Sequence, residues 1–95
     1  MKLSKSVRTF GTLKCNVIQS DALDEARNGL VILNHGFGAP GDDLVDIGAM
    51  LLDCSEMIAT GFRIVFPEAP VDLGPMGMPG GRAWWPINMA QLAEI

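Results

Sequence analysis

A nearly continuous apolar run at residues 29–34 constrains the fold of this chain more than any other feature. Such a run is typical of a strand at the centre of a sheet, covered on both faces. A second short run, residues 63–66, is stopped by Pro67. Between the two runs, apolar or small residues recur at the spacing of one buried helix face: Leu44, Ile47, Gly48, Leu51, Cys54 and Ile58. The order strand, helix, strand predicts two parallel strands joined by a right-handed crossover.

The flanking segments predict four further features. Asp42 or Asp43 can cap the start of the helix, and Gly61 fits the glycine that commonly follows a helix end. Residues 6–10 and 13–19 read as an antiparallel hairpin at a sheet edge, because apolar and polar residues alternate in the second run. Residues 68–82 contain three prolines and four glycines, which predicts a long irregular loop. Residues 88–95 read as the start of another helix.

These elements predict an α/β fold made of an edge hairpin and one strand–helix–strand unit. Parallel sheets need helices on both faces, whereas the single predicted helix before the second run covers one face. The sequence therefore predicts a fold that is incomplete as a domain, with residues 1–95 forming the N-terminal portion of a single larger domain. An exposed apolar sheet face of this kind is expected to promote self-association.

Charge and composition exclude several classes of function. The chain has 7 Lys and Arg against 11 Asp and Glu, a net charge of −4, so a nucleic-acid partner is not expected. No run approaches the roughly 18 apolar residues of a membrane span, and no apolar run follows the N-terminal lysines as in a secretory signal. We therefore expect a cytoplasmic protein. Cys15 and Cys54 lack metal-ligand spacing and are expected to be free thiols, and no metal or cofactor is predicted.

The glycine-rich segment at residues 35–41 is the best candidate for a functional site. It follows the first apolar run, and ligands of open α/β sheets bind outside the carboxyl ends of the strands. Glycines there let the backbone approach a substrate, so that a free N–H can point at a developing oxyanion. The alternative is an ordinary glycine-rich turn between a strand and a helix.

Three blocks of the sequence, in the same order, resemble the phospholipase/carboxylesterase family of α/β-hydrolases. That family includes bacterial carboxylesterases and acyl-protein thioesterases. The blocks are His35-Gly36-Phe37-Gly38-Ala39 followed by Gly41-Asp42-Asp43-Leu44, then Arg63-Ile64-Val65-Phe66-Pro67-Glu68-Ala69-Pro70, and finally Gly80-Gly81-Arg82-Ala83-Trp84-Trp85-Pro86-Ile87. The resemblance runs from about Leu13 to Ile95. It implies that this chain is the N-terminal part of an α/β-hydrolase sheet.

The resemblance also implies an activity and a set of site residues. The activity is that of a serine carboxylesterase or thioesterase, which hydrolyses small-molecule carboxylic esters or thioesters without a cofactor. The backbone N–H of Phe37 corresponds to one donor of the oxyanion hole, and the second donor follows the nucleophile in this fold. Substrate-binding positions carried over from the family, or placed beside them, are Gly36, Gly38, Met76, Met78 and Trp84.

The sequence departs from that family in one respect that bears on activity. No Gly-x-Ser-x-Gly occurs, and none of the four serines lies in a strand–turn–helix elbow. His35 precedes any nucleophile, against the chain order Ser, Asp or Glu, His, so we expect it to shape its loop rather than act as a base. The chain alone should be inactive. Two alternatives stay open: a complete non-catalytic module that binds an acyl group or a protein, and another hydrolase such as a dienelactone hydrolase or peptidase.

Overall fold

The computed structural model of the chain describes residues 2–27, 29–86, 88 and 90–91. Among the described residues up to Ala83, six strands, two helices and one short 3₁₀ turn follow one another. They are β1 (Leu3–Phe10), β2 (Leu13–Ser20), β3 (Gly29–Ile32), α1 (Val45–Cys54), α2 (Glu56–Gly61), β4 (Phe62–Pro67), β5 (Val71–Asp72), the 3₁₀ turn Gly74–Met76, and β6 (Arg82–Ala83). Most of the helix predicted at residues 88–95 lies outside the described residues.

The main sheet has the strand order β1-β2-β4-β3. Strands β1 and β2 form the predicted antiparallel hairpin, whose two-residue turn contains Gly11 at a φ of 61°. Strand β2 pairs antiparallel with β4, and β4 pairs parallel with β3, so that Val17, Val65 and Ile32 lie side by side across three strands. The mixed α/β class and the parallel strand–helix–strand unit are confirmed.

The prediction that residues 29–34 form a central strand is wrong for the sheet that the structure describes. Strand β4 occupies the inner position, where Ile64 is 0% exposed and Phe66 is 1% exposed. Strand β3 lies at the edge, and its Leu30 and Ile32 remain 58% and 55% exposed. An apolar run marks a strand suited to burial on both faces, but it does not tell which strand has neighbours on both sides.

Two helices replace the single helix predicted between β3 and β4. Ser55 adopts an extended conformation, with φ −133°, and its side chain accepts the N–H of Ile58 at 3.2 Å as the N-cap of α2. The predicted buried face is also displaced: Gly48 and Leu52 are buried, whereas Ile47 is 52% exposed and Cys54 is exposed. The buried face is thus centred on Gly48 and Leu52, while the predicted Leu44, Leu51 and Ile58 pack at its margin.

The predicted helix ends differ from the observed ones. Leu44 is the N-cap of α1 and makes no side-chain cap, while the carbonyl of Asp42 accepts the N–H of Val45 at 3.1 Å in the preceding turn. Gly61 is the last residue of α2 and lacks a left-handed φ, and the extended Phe62 closes that helix. The expected Asp cap is therefore wrong, whereas Gly61 does end the helical segment, as its last helical residue and not as a left-handed residue after it.

The helices cover one face of the sheet and leave the other open. Leu52 and Ala59 pack with Ile18, Ile64 and Phe66 in the main core. The opposite surface, here called the open sheet face, is lined by Arg8, Phe10, Leu13, Cys15, Val17, Leu30, Ile32, Arg63, Val65 and Pro67. The Cα radius of gyration is 15.7 Å, above the roughly 12 Å of a compact domain of this length. None of the described helices is long and apolar enough to cross a membrane.

Candidate functional site

Two loops meet at the edge of the sheet where β3 and β4 end. Because these strands are parallel, their carboxyl ends lie at the same edge, which is the position where open α/β sheets bind ligands. The first loop, residues 33–44, joins β3 to α1 and is here called the β3–α1 loop. The second, residues 68–81, joins β4 to β6. The side-chain and backbone contacts at this edge link the two loops or shape one of them.

The second loop is more regular than the sequence predicts. It contains β5, which pairs with β6 at the end of the loop, and the 3₁₀ turn lies between these two strands. Leu73, which is 1% exposed, donates its N–H to the Gly81 carbonyl at 3.0 Å and accepts the N–H of Met78 at 3.1 Å. The backbone groups of this glycine- and proline-rich segment thus bond to one another, as buried or half-buried backbone must.

His35 connects the two loops through its side chain. It is 4% exposed, its Nε2 accepts the N–H of Ala69 at 3.0 Å, and its Nδ1 lies 2.8 Å from the Gly36 carbonyl. An Nε2 that accepts carries no proton, so Nδ1 holds the proton and donates it to that carbonyl. Both ring nitrogens are therefore occupied. This confirms the prediction that His35 shapes the loop.

Trp84 packs on the same histidine. The indole and imidazole rings stack with their centroids 5.3 Å apart and an angle of 29° between planes. The indole Nε1 also donates to the His35 carbonyl at 2.9 Å. Trp84 is consequently half-buried against the β3–α1 loop, and the neighbouring Trp85 is 63% exposed.

Two glycines permit the close approach of the loops. Gly38 has a φ of 83°, in the left-handed region that side chains rarely adopt, and a Cβ there would lie 2.7 Å from the Met78 methyl carbon. A Cβ on Gly81 would lie 2.8 Å from the Gly38 carbonyl oxygen. A side chain at Gly81 would meet the backbone of the β3–α1 loop and push the loops apart, whereas one at Gly38 would displace the Met78 methyl group and strain the left-handed backbone.

Phe37 is the predicted oxyanion-hole residue, and its amide differs from those that follow it. The N–H of Gly38 donates to the Arg82 carbonyl at 2.9 Å, and the N–H of Ala39 donates to the Gly36 carbonyl at 3.2 Å. Within the part of the chain that the structure describes, the N–H groups of Gly36 and Phe37 have no acceptor. The N–H groups of Asn34 and His35 also lack an acceptor in this part of the chain, so the loop holds a run of unbonded amides that ends at Phe37 and is followed by two bonded ones.

Three partly exposed apolar side chains belong to the two loops. Phe37 is 39% exposed, Met78 is 38% exposed and Met76 is 52% exposed. Met78 lies directly against Gly38, and Met76 belongs to the adjacent 3₁₀ turn. Methionine side chains adapt to chain-like apolar ligands. The predicted substrate-binding residues Gly38 and Met78 are therefore neighbours in space.

Sequence reasoning missed Arg82 and Glu68, which also belong to this edge of the sheet. The guanidinium of Arg82 donates to the carbonyls of Ala69 and Pro70, and lies 3.8 Å from the Glu68 carboxylate. The Glu68 side chain lies against Gly41, where a Cβ would meet it at 2.5 Å. An arginine in a glycine-rich loop has no periodicity that could have indicated these contacts.

No serine among the described residues lies at this edge, and Cys15, which pairs with Pro67 at the end of β4, is only 2% exposed. Ser20 ends β2 at the amino end of the antiparallel β4, and Ser4 pairs with Gln19 near the same end. Ser55 caps α2, also before β4 begins. No group of three or more His, Cys, Asp or Glu side chains among the described residues is arranged to hold a metal ion.

Comparison with known proteins gives no match. No protein-family model matches the chain, and no curated protein or solved structure matches it either. The relation to a hydrolase family therefore depends on the three sequence blocks alone, and the role of the Phe37 amide stays a prediction.

Proposed function

We propose that this chain is the N-terminal part of a serine carboxylesterase or thioesterase of the α/β-hydrolase fold, and that the Phe37 N–H is half of its oxyanion hole. The observation that carries the proposal is the free Phe37 amide at the carboxyl end of β3, next to amides that are bonded. In α/β-hydrolases one oxyanion donor comes from the loop between the third strand and the first helix. Phe37 occupies that position in the chain order of this protein.

The proposed chemistry follows from what an unbonded backbone N–H that is already in position can do. Attack on an ester carbonyl places negative charge on its oxygen, and a donor already in position stabilises that charge without reorganisation. One such donor contributes about 2.7–4 kcal/mol to the transition state. The second donor and the Ser-Asp-His triad would come from residues beyond Ile95. Met76 and Met78 would contact the acyl group, beside Gly36 and Gly38.

The first experiment is to read the gene downstream of Ile95. A frame that continues into Gly-x-Ser-x-Gly, followed by an Asp or Glu and a His, supports the esterase. A stop codon with no such sequence beyond it refutes the esterase and favours the non-catalytic acyl- or protein-binding module. Residues 1–95 alone should not hydrolyse p-nitrophenyl acetate above a boiled control. Hydrolysis that Phe37→Pro abolishes would show that the missing triad is not needed.

The second experiment tests the Phe37 N–H in a longer gene product that contains the Gly-x-Ser-x-Gly nucleophile elbow. Phe37→Pro removes the N–H and should lower kcat for p-nitrophenyl butyrate by about 10²–10³-fold. Phe37→Ala keeps the N–H, so its kcat should stay within a few-fold of the parent enzyme. Because proline also restricts the backbone, replacement of the Phe37 amide by a backbone ester gives the same test without that constraint. Equal kcat values for the ester and amide forms would refute the role of this N–H.

We also propose that the isolated chain associates with itself through the open sheet face. Leu30 and Ile32 are more than half exposed there, and Phe10 is 51% exposed. Exposed apolar patches of this kind drive association. Static light scattering should give a mass above that of the monomer, and Ile32→Lys should lower it. A monodisperse monomer that melts in one sharp transition would contradict this proposal.

A further inference from the structure

Arg82 binds the β3–α1 loop through its backbone at the residues that immediately follow Phe37. Its carbonyl accepts the Gly38 N–H at 2.9 Å, and its own N–H donates to the Ala39 carbonyl at 3.1 Å. This reciprocal pair fixes the peptide group between Phe37 and Gly38 and the peptide group between Ala39 and Pro40. The peptide group that follows Phe37 is thereby held by a residue that lies 45 positions after Phe37 in the chain.

The side chain of Arg82 holds the other half of this arrangement. Its Nε donates to the Ala69 carbonyl at 2.9 Å, and its Nη2 donates to the Pro70 carbonyl at 3.2 Å. Ala69 is 0% exposed, and its N–H is already held by the His35 ring. Ala69, which lies two residues after the end of β4, thus has its N–H bonded to His35 and its carbonyl bonded to Arg82. His35 belongs to the β3–α1 loop, and the backbone of Arg82 bonds with that loop.

These contacts require the shape of a guanidinium. Its donors are fixed in one plane, so Nε and Nη2 reach two successive carbonyls together, whereas the single ammonium of lysine cannot reproduce that geometry. The neighbouring Glu68 carboxylate, 3.8 Å from Nε, adds charge to the same side. Both groups are about three-quarters buried, with side-chain exposure of 26% each. The contact to Glu68 alone would suit either cation.

We infer that Arg82 is a positioning residue for the loop that carries the Phe37 amide: it clamps the β3–α1 loop, at the peptide group next to that amide, to the turn after β4. The role of this clamp in catalysis rests on the proposed function. The clamp itself is a property of the isolated chain, and it can be measured without any substrate.

Native-state amide exchange, followed by NMR on the whole chain, tests the clamp. The N–H of Gly38 reports on the loop. The N–H of Leu33, where the chain leaves β3, donates to the Val65 carbonyl of β4 at 2.9 Å and therefore reports on the sheet. In Arg82→Gln, exchange at Gly38 should be at least about tenfold faster, while exchange at Leu33 changes by less than about twofold, because local opening does not require the sheet to unfold. The amide proton shift of Phe37 should move in the same variant.

Two further variants make the result decisive. Arg82→Lys keeps the charge beside Glu68 but loses the paired carbonyl contacts, so Gly38 should exchange as fast as in Arg82→Gln. The control Arg27→Gln changes an arginine that is 61% exposed and far from the loop, and should leave both amides unchanged. Equal acceleration at Gly38 and Leu33 would reduce Arg82 to a general stabiliser, and full protection of Gly38 in Arg82→Lys would assign the effect to charge; either outcome overturns the inference. Failure of the esterase experiments would leave the clamp measurement unaffected.

Discussion

The hydrogen bond between His35 and Ala69 allows a quantitative test of how the two loops are joined. Ala69 is 0% exposed, so its N–H would have neither a protein acceptor nor water if the imidazole were replaced by an apolar group. An unsatisfied buried donor costs about 1–3 kcal/mol. Loss of the ring stack with Trp84 costs about 0.5–1.5 kcal/mol more. The exposed Gly36 carbonyl can bond to water instead, so it adds little.

Two substitutions at His35 separate these contributions. Gln carries an acceptor near the position of Nε2 but has no ring, so His35→Gln should lower the free energy of unfolding by about 0.5–1.5 kcal/mol. His35→Leu loses both interactions and should lower it by about 2–4 kcal/mol. The difference between the two variants, about 1–3 kcal/mol, measures the hydrogen bond to Ala69.

Urea unfolding followed by far-UV circular dichroism gives these values, at one fixed protein concentration because the chain is proposed to associate. Tryptophan fluorescence is unsuitable, since Trp84 stacks on the residue that is changed. Asn34→Ala, at the exposed neighbouring position, should stay within about 0.5 kcal/mol of the parent chain. If His35→Leu and His35→Gln unfolded at the same free energy within about 0.5 kcal/mol, the hydrogen bond would have no measurable weight and the reasoning would fail.

Two further predictions concern the core and the thiols. Gly48→Ala should lower the free energy of unfolding by about 1–2 kcal/mol, because its Cβ would overlap the buried ring of Phe66 and this exceeds the gain in helix propensity; a urea midpoint at or above that of the parent would contradict it, and the exposed Met50→Ala is the control. Burial raises the pKa of the Cys15 thiol, partly offset by a hydrogen bond with the Phe10 backbone, so a thiol reagent at pH 8 should modify the exposed Cys54 at least about tenfold faster. Since the folded state then keeps that proton at a pH where the unfolded chain releases it, stability should fall as pH rises above about 9, and a flat profile there would be the contrary result.

Local patterns in the sequence predicted the β1–β2 hairpin and the strand–helix–strand unit, but not how these elements pack. Alternation at residues 13–19 and the turn at Gly11 predicted the β1–β2 hairpin, because a half-buried strand and a tight turn are each encoded by neighbouring residues. Ser55 carried a readable signal that was missed, since a serine before Glu56 is a common N-cap. The centring of the buried face on Gly48 and Leu52 could not be read in the same way, because it depends on the contacts of these residues with the core around Phe66.

The same distinction between local sequence patterns and tertiary contacts applies to the candidate site. Residue type and order are enough to show that a glycine-rich loop follows an apolar strand and that no Gly-x-Ser-x-Gly occurs in these residues. The folded contacts alone show that His35 and Arg82 hold the same residue, Ala69, and that Gly38 and Gly81 lie where the two loops touch. The reason is physical: hydrogen-bond partners and close backbone contacts join residues 34 and 43 positions apart, and no local periodicity records which of them will meet.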